Sequence, residues 1–131
     1  CTAHHELGNH DVPYKSTHRN HPSAIWARSN DLSYLWLYEH MIALGKEYTR
    51  RYNKMHLTIE KCHDVLMQLP PGIPSNDWEQ PPQCMPDEFK EECSVSAYRH
   101  FYNVDKRRSF KCVWTDREEP QWWKEHTCLG V

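Results

Sequence analysis

The sequence predicts a mainly α protein: a single helical domain with a long central helix, an antiparallel partner helix and a proline-rich strap. Three observations predict it. Tyr34, Leu37, Met41, Leu44, Tyr48 and Tyr52 step by three and four, as one face of a helix requires. Met55, Ile59, Cys62, Leu66 and Leu69 repeat that pattern after a joint of only Asn53-Lys54, and so short a joint sets two helices antiparallel. Residues 70 to 86 then hold six prolines without periodicity, which predicts an extended segment crossing the surface.

Taken in order, residues 2 to 7 suit a helix that stops at Gly8-Asn9, a plausible C-terminal cap. The opening CTAHHEL reads as the end of a helix already under way and lacks an initiator Met. The expectation is therefore that residues 1–131 are one helical domain shortened at its N-terminus. Residues 9 to 21 are loop, dense in turn formers and imidazoles. Pro22 opens a short helix to Arg28, with Asn20 or His21 as cap. Ser29-Asn30-Asp31 resets the chain, and Asn30 or Asp31 caps the central helix, Leu32 to Tyr52. Leu35, Trp36, Tyr38 and Ile42 widen its stripe, so it is expected to be contacted on two sides. Glu47 and Arg51 stand four apart on its polar edge. The partner helix is expected from Met55 to Leu69, ended by Pro70-Pro71-Gly72.

Beyond the strap, MPDEFKEE opens a short helix near Asp87. Ser94 or Ser96 caps another, on which Val95, Tyr98, Phe101 and Tyr102 share a face, and Asp105 to Arg108 ends it in cations. Phe110, Val113 and Trp114 form an apolar patch, and Glu118-Glu119-Pro120 starts a final turn carrying Trp122 and Trp123.

Composition narrows the function classes. The 131 residues suffice for one modest core. Only 38% are hydrophobic, but six Trp and seven Tyr are among them, so the core should be aromatic, with polar tips seeking partners. A net charge of −2 with ten His neither demands nor excludes a polyanionic partner, since local clustering decides. No apolar run approaches the roughly 20 residues that span a bilayer, and no secretory signal is visible. The six cysteines form no CxxC pair, which removes zinc ribbons and thioredoxin-type chemistry. Reduced, partly buried thiols are the expected state. With Gly only at 8, 45, 72 and 130, glycine-dependent nucleotide loops are excluded.

Three constellations could carry chemistry. Lys15, His18, Arg19 and His21, with Arg28 one short helix on, place cations and imidazoles beside a helix N-terminus and so attract anions, phosphate above all. The competing reading is a solvated loop whose side chains cap the next helix; caps account for Asn20 but poorly for Lys15, His18, Arg19 and Arg28. His56, Glu60 and His63 are spaced for one helical edge, yet such spacings arise readily by chance. They are taken as an exposed polar face, and no metal or cofactor is expected. The basic run Lys106, Arg107, Arg108 and Lys111 with Tyr98, Tyr102, Trp114, Trp122 and Trp123 could form a phosphate-and-stacking surface, but these aromatics also fit a core.

The runs YKSTHRNHPSAIWAR, EYTRRYNKMH, PPQCMPDEFK, AYRHFY and EEPQWW together resemble a family of small proteins of tailed bacteriophages, many marine, over nearly the whole chain. A more distant similarity, through His21-Pro22 before a long helix and a Trp- and Tyr-rich C-terminus, is to the pyrimidine-dimer DNA glycosylase, or endonuclease V, family. That resemblance implies an all-helical DNA-repair fold whose N-terminal α-amine attacks the sugar while a base is flipped out. Cys1 does not match that nucleophile. The implied partners are DNA or other phage proteins, and the implied place is the cytoplasm of an infected bacterial host, or the virion if the protein is structural. A non-catalytic interaction protein is the alternative. It would use the C-terminal aromatics and the long strap, and exposed Trp122 and Trp123 would favour it.

Overall fold

The computed structural model describes residues 1–128 and is mainly helical, with no strand among the described residues. The chain divides into two compact units, Cys1–Pro82 and a second beginning at Gln83. None of the described helices is long and apolar enough to cross a membrane.

The first unit contains α1 (Thr2–Glu6), α2 (Pro22–Ser29), α3 (Asp31–Tyr52) and α4 (Leu57–Leu66). Gly8, at φ 97°, lets the chain turn out of α1, and Asn9 N–H closes on His4 C=O at 2.8 Å. His21 caps α2, its Nδ1 accepting the Ser23 N–H, and Asn30 Oδ1 caps α3 by accepting that of Leu32. Asn53 ends α3 in the left-handed region at φ 52°. The α3–α4 hairpin is antiparallel as predicted, fixed by Gly45 against Ile59, Tyr38 Oη donating to His63 C=O, and Tyr34 Oη donating to Leu66 C=O.

Two expectations are corrected here. The partner helix begins at Leu57, not Met55, because His56 Nδ1 caps it by accepting the Thr58 N–H; it ends at Leu66, not Leu69. Tyr34 Oη takes the Leu66 carbonyl at 2.7 Å and lies 3.3 Å from that of Gln68, so the last turn is satisfied from α3 and the helix need not continue. The second correction concerns α3. Tyr34 is buried, but Leu37 is 41% exposed and Leu44 64%. The apolar stripe lines an open groove and is not a closed core.

Burial concentrates around a polar chain. His4, 1% exposed, accepts from Asn9 Nδ2 at Nδ1 and lies 2.8 Å from Tyr34 Oη at Nε2. Asn9 Oδ1 accepts the Asp11 N–H, which orients the amide. Tyr34 spends its proton on Leu66, so His4 Nε2–H must be the donor to Tyr34. Burial depresses the His4 pKa and raises that of Tyr34.

The strap is tied to the α2–α3 joint. Asn30 Nδ2 donates to Asp77 C=O at 2.7 Å, Asp31 N–H to Pro74 C=O at 2.8 Å, and Trp26 Nε1 to Glu79 C=O at 3.0 Å. Trp78 packs edge-on against Trp26, which meets Trp36 the same way.

In the second unit a one-turn 3₁₀ helix, Asp87–Phe89, precedes α5 (Ser94–Phe101), a π-turn (Tyr102–Lys106), α6 (Arg107–Ser109) and α7 (Gln121–Cys128). The cap of α5 is Cys93, neither Ser94 nor Ser96. Its exposed thiol is held below the usual range by the Ser96 N–H and hydroxyl and the Val95 N–H. Ser94 and Ala97 face inward, while Val95 and Tyr102 face out, which corrects the predicted shared face. Phe89 packs on His100 and Phe101. The Arg107 guanidinium lies 3.5 Å over the Trp123 ring and donates to Asn103 Oδ1 and Trp123 C=O. Cys1, Cys62, Cys84, Cys93 and Cys112 are free thiols; the Cys128 side chain lies outside the described residues.

Candidate functional site

The loop before α2 is short of regular structure but is not loose. It runs back along α1 and is fastened to it at three points. Thr2 Oγ1 donates to Thr17 C=O and accepts the Thr17 N–H, at 3.0 and 3.1 Å. Ser16 Oγ donates to Glu6, and His5 Nε2 lies 2.8 Å from Tyr14 C=O. His18 makes the turn at φ 49°, and its carbonyl accepts the His21 N–H.

Lys15, His18, Arg19 and His21 are all exposed on this loop. Among the described residues neither Lys15 nor Arg19 pairs with a carboxylate. Lys15 also lines a cleft of about 580 Å³ whose walls include Ala24, Ala27, Leu37 and Met41. The structure adds a cation that the sequence did not point to. Lys61, on α4, places Nζ 5.6 Å from the centroid of the Tyr14 ring, the residue before Lys15 in the chain. Only its i+4 distance from Leu57 hinted that it shares the α4 edge bearing Thr58, which reaches Tyr14 Oη at 3.4 Å.

Two predicted members behave differently. His21 is engaged in the α2 cap, so its Nδ1 lone pair is occupied. Arg28 is half-buried and absent from the cleft lining, with Nη1 buried and unpartnered. The loop therefore brings together Lys15, His18 and Arg19 with His21 as both cap and neighbour, while Arg28 sits apart on α2.

A histidine pair adjoins the cluster. His5 Nδ1 and His10 Nδ1 are 2.8 Å apart. The Tyr14 carbonyl can only accept, so His5 carries its proton on Nε2 and its Nδ1 accepts from His10 Nδ1–H. His10 Nε2 is left as a proton acceptor on the loop surface.

The His56, Glu60 and His63 edge does not assemble. His56 lies before α4 as its cap and packs edge-on against Tyr48, whereas His63 bonds to Asp64. No cluster of three or more His, Cys, Asp or Glu side chains suited to a metal occurs among the described residues. Half of the second basic run is occupied in its own unit: Lys106 lies over Phe101 and Phe110, and Arg107 on Trp123. No protein-family model, curated protein or solved structure matches this chain.

Proposed function

We propose that this protein binds nucleic acid through the loop Tyr14–His21, holding backbone phosphates with Lys15 and Arg19, assisted by Lys61 and the imidazoles of His18 and His21. In this reading it is a phage protein acting in the infected host and related in fold to the pyrimidine-dimer DNA glycosylases. The observation that carries it is the fastened loop presenting two cations that pair with no carboxylate among the described residues. A loop already held by three side-chain contacts loses little further freedom on binding. Phosphates supply the matching charge in a row.

Duplex DNA should bind at low salt and dissociate steeply as salt rises. Each phosphate contact contributes roughly 0.9 to the slope of log K against log salt. Lys15→Ala with Arg19→Ala should therefore flatten that slope by roughly 2. Fluorescence anisotropy with a labelled duplex measures both. No affinity at low salt, or a slope that the double substitution leaves unchanged, refutes the reading.

The alternative, a protein-interaction surface on the C-terminal aromatics and the strap, loses the support that exposed Trp122 and Trp123 would have given it. Trp123 is 6% exposed beneath Arg107, and Trp122 is half-buried with Arg99 over its ring.

A further inference from the structure

The open groove on α3 is the feature of the first unit that its own folding leaves unexplained. Leu37, Met41, Leu44 and Tyr48 recur at i, i+4, i+7 and i+11, all on one strip of the helix. One cleft of about 460 Å³ and one of about 580 Å³ lie along this strip and adjoin at Met41 and Thr58, which line both. The wall on one side is α4, through Ile59, Cys62 and Leu66. The other wall, over the N-terminal half, is made of small residues: Ala3, Ala24 and Ala27. From Leu37 to Tyr52 the floor is about 22 Å long at 1.5 Å per residue, or roughly four helical turns.

We propose that this groove is a docking site for an amphipathic α-helix of a partner protein with an acidic flank. A concave strip with a helical repeat takes a convex rod whose apolar residues carry the same repeat. Alanine along one wall lets that rod approach closely. Two such grooves set face to face would leave a void between their floors, which disfavours a second copy as occupant. Charge selects the flank. Lys15 stands in the lining at one end, where Lys61 lies over the ring of Tyr14, itself in the lining; at the other, Arg51 is matched by Glu47 at 2.9 Å, and His56 joins them. The rim is thus net positive, and an acidic helix edge complements it. An apolar face of this extent, with Leu44 more than half exposed, exceeds what scattered surface residues explain. The inference goes beyond the nucleic-acid reading and does not depend on it.

The test uses the whole chain and two synthetic peptides of about 18 residues, the length that covers the groove. Both are capped at their ends and carry Leu at i, i+4, i+7 and i+11. One has glutamate on its flanks, the other lysine. The acidic peptide should bind with a dissociation constant of roughly tens of micromolar, the lysine peptide roughly tenfold or more weakly, and helicity should rise on binding. Leu44→Asp should abolish peptide binding yet leave the thermal midpoint and duplex DNA affinity unchanged, because Leu44 is exposed in the free protein and stands outside the cation loop. Lys61→Glu should reverse the peptide preference. Equal binding of both peptides, binding of neither, or an unaffected Leu44→Asp variant overturns the proposal. So does a concentration-dependent dimer, seen by sedimentation, that Leu44→Asp dissolves without any peptide affinity; that outcome assigns the groove to a second copy.

Discussion

Replacing Asn30 should loosen the strap at one of its ties, while the Asp31 N–H to Pro74 and Trp26 Nε1 to Glu79 bonds stay in place. Asn30 is 5% exposed and uses both ends of its amide. Oδ1 accepts the Leu32 N–H at 3.1 Å as the cap of α3 and lies 3.4 Å from the Asn76 N–H, while Nδ2 donates to Asp77 C=O at 2.7 Å. Removing an asparagine cap costs about 1 kcal/mol. Losing the bond to Asp77 costs about another 1 kcal/mol. Asp31 Oδ1 also accepts the Leu32 N–H, at 2.8 Å, so the cap is only partly lost, and Asn30→Ala should destabilise the first unit by about 1–2 kcal/mol. Asn30→Asp separates the two terms, because a carboxylate still caps the helix but cannot donate to the Asp77 carbonyl. It should cost only the strap bond, with some added repulsion, and should loosen the strap around Asp77 as much as alanine does. Urea titration followed by tryptophan fluorescence reads the stability, and acrylamide quenching of Trp78 against Trp26 reads the strap. A shift below about 0.5 kcal/mol for Asn30→Ala, or Trp78 equally shielded in all three proteins, would refute Asn30 as the clasp.

Two further outcomes follow from the helix contacts. A Cβ at Gly45 would stand 2.6 and 2.7 Å from Ile59 Cγ1 and Cδ1, so Gly45→Ala should destabilise despite its gain of about 1 kcal/mol in helix propensity. In a double-mutant cycle with Ile59→Ala the two changes should couple by roughly 1 kcal/mol; additivity would contradict the close crossing. His4 should make the first unit acid-sensitive. Its pKa is depressed in the fold, so the unfolded chain takes up the proton first. The contribution is whole above the unfolded value of 6.5 and falls as pH drops below it, by up to about 1.4 kcal/mol per unit until the folded value is reached. Urea midpoints at pH 7.5 and 5.5 should fall less for His4→Gln than for the unaltered protein, and equal falls would refute the assignment.

The helices of this chain were legible because periodicity and capping chemistry are local. Asn30 and Pro22 announced their helices, and the short Asn53-Lys54 joint announced the hairpin. What covers a stripe is not local. Leu37, Met41 and Leu44 signal a face, and nothing in their spacing tells whether the fold supplies a partner for it. The histidine caps were half-visible: His21 was among the candidates for α2, whereas His56 was read as part of an exposed polar face, and its capping role was missed because an imidazole accepting a backbone N–H has no distinctive sequence pattern. Cys93 as a cap was missed for the same reason. Lys15, His18 and Arg19 stood out by density on a loop. Lys61 did not, since it joins them only through the α3–α4 packing, and Arg28 was included by proximity in sequence although its helix turns it elsewhere.

The π-turn between α5 and α6 has a consequence for insertions and deletions. Five residues at roughly 80° each sweep nearly the same angle as four α-helical residues at about 100°. Tyr102–Lys106 therefore behaves as an ordinary helical turn into which one extra residue has been fitted, and Arg107 leaves it aimed much as it would be without that residue. Losing one residue here would straighten the rod and keep the guanidinium pointed at Trp123. Losing one from α5 would instead swing everything beyond it by about 100° and uncover the Trp123 ring. Within one continuous rod, then, two neighbouring helical stretches differ sharply in their tolerance of length change, and the hydrogen-bond pitch is what distinguishes them.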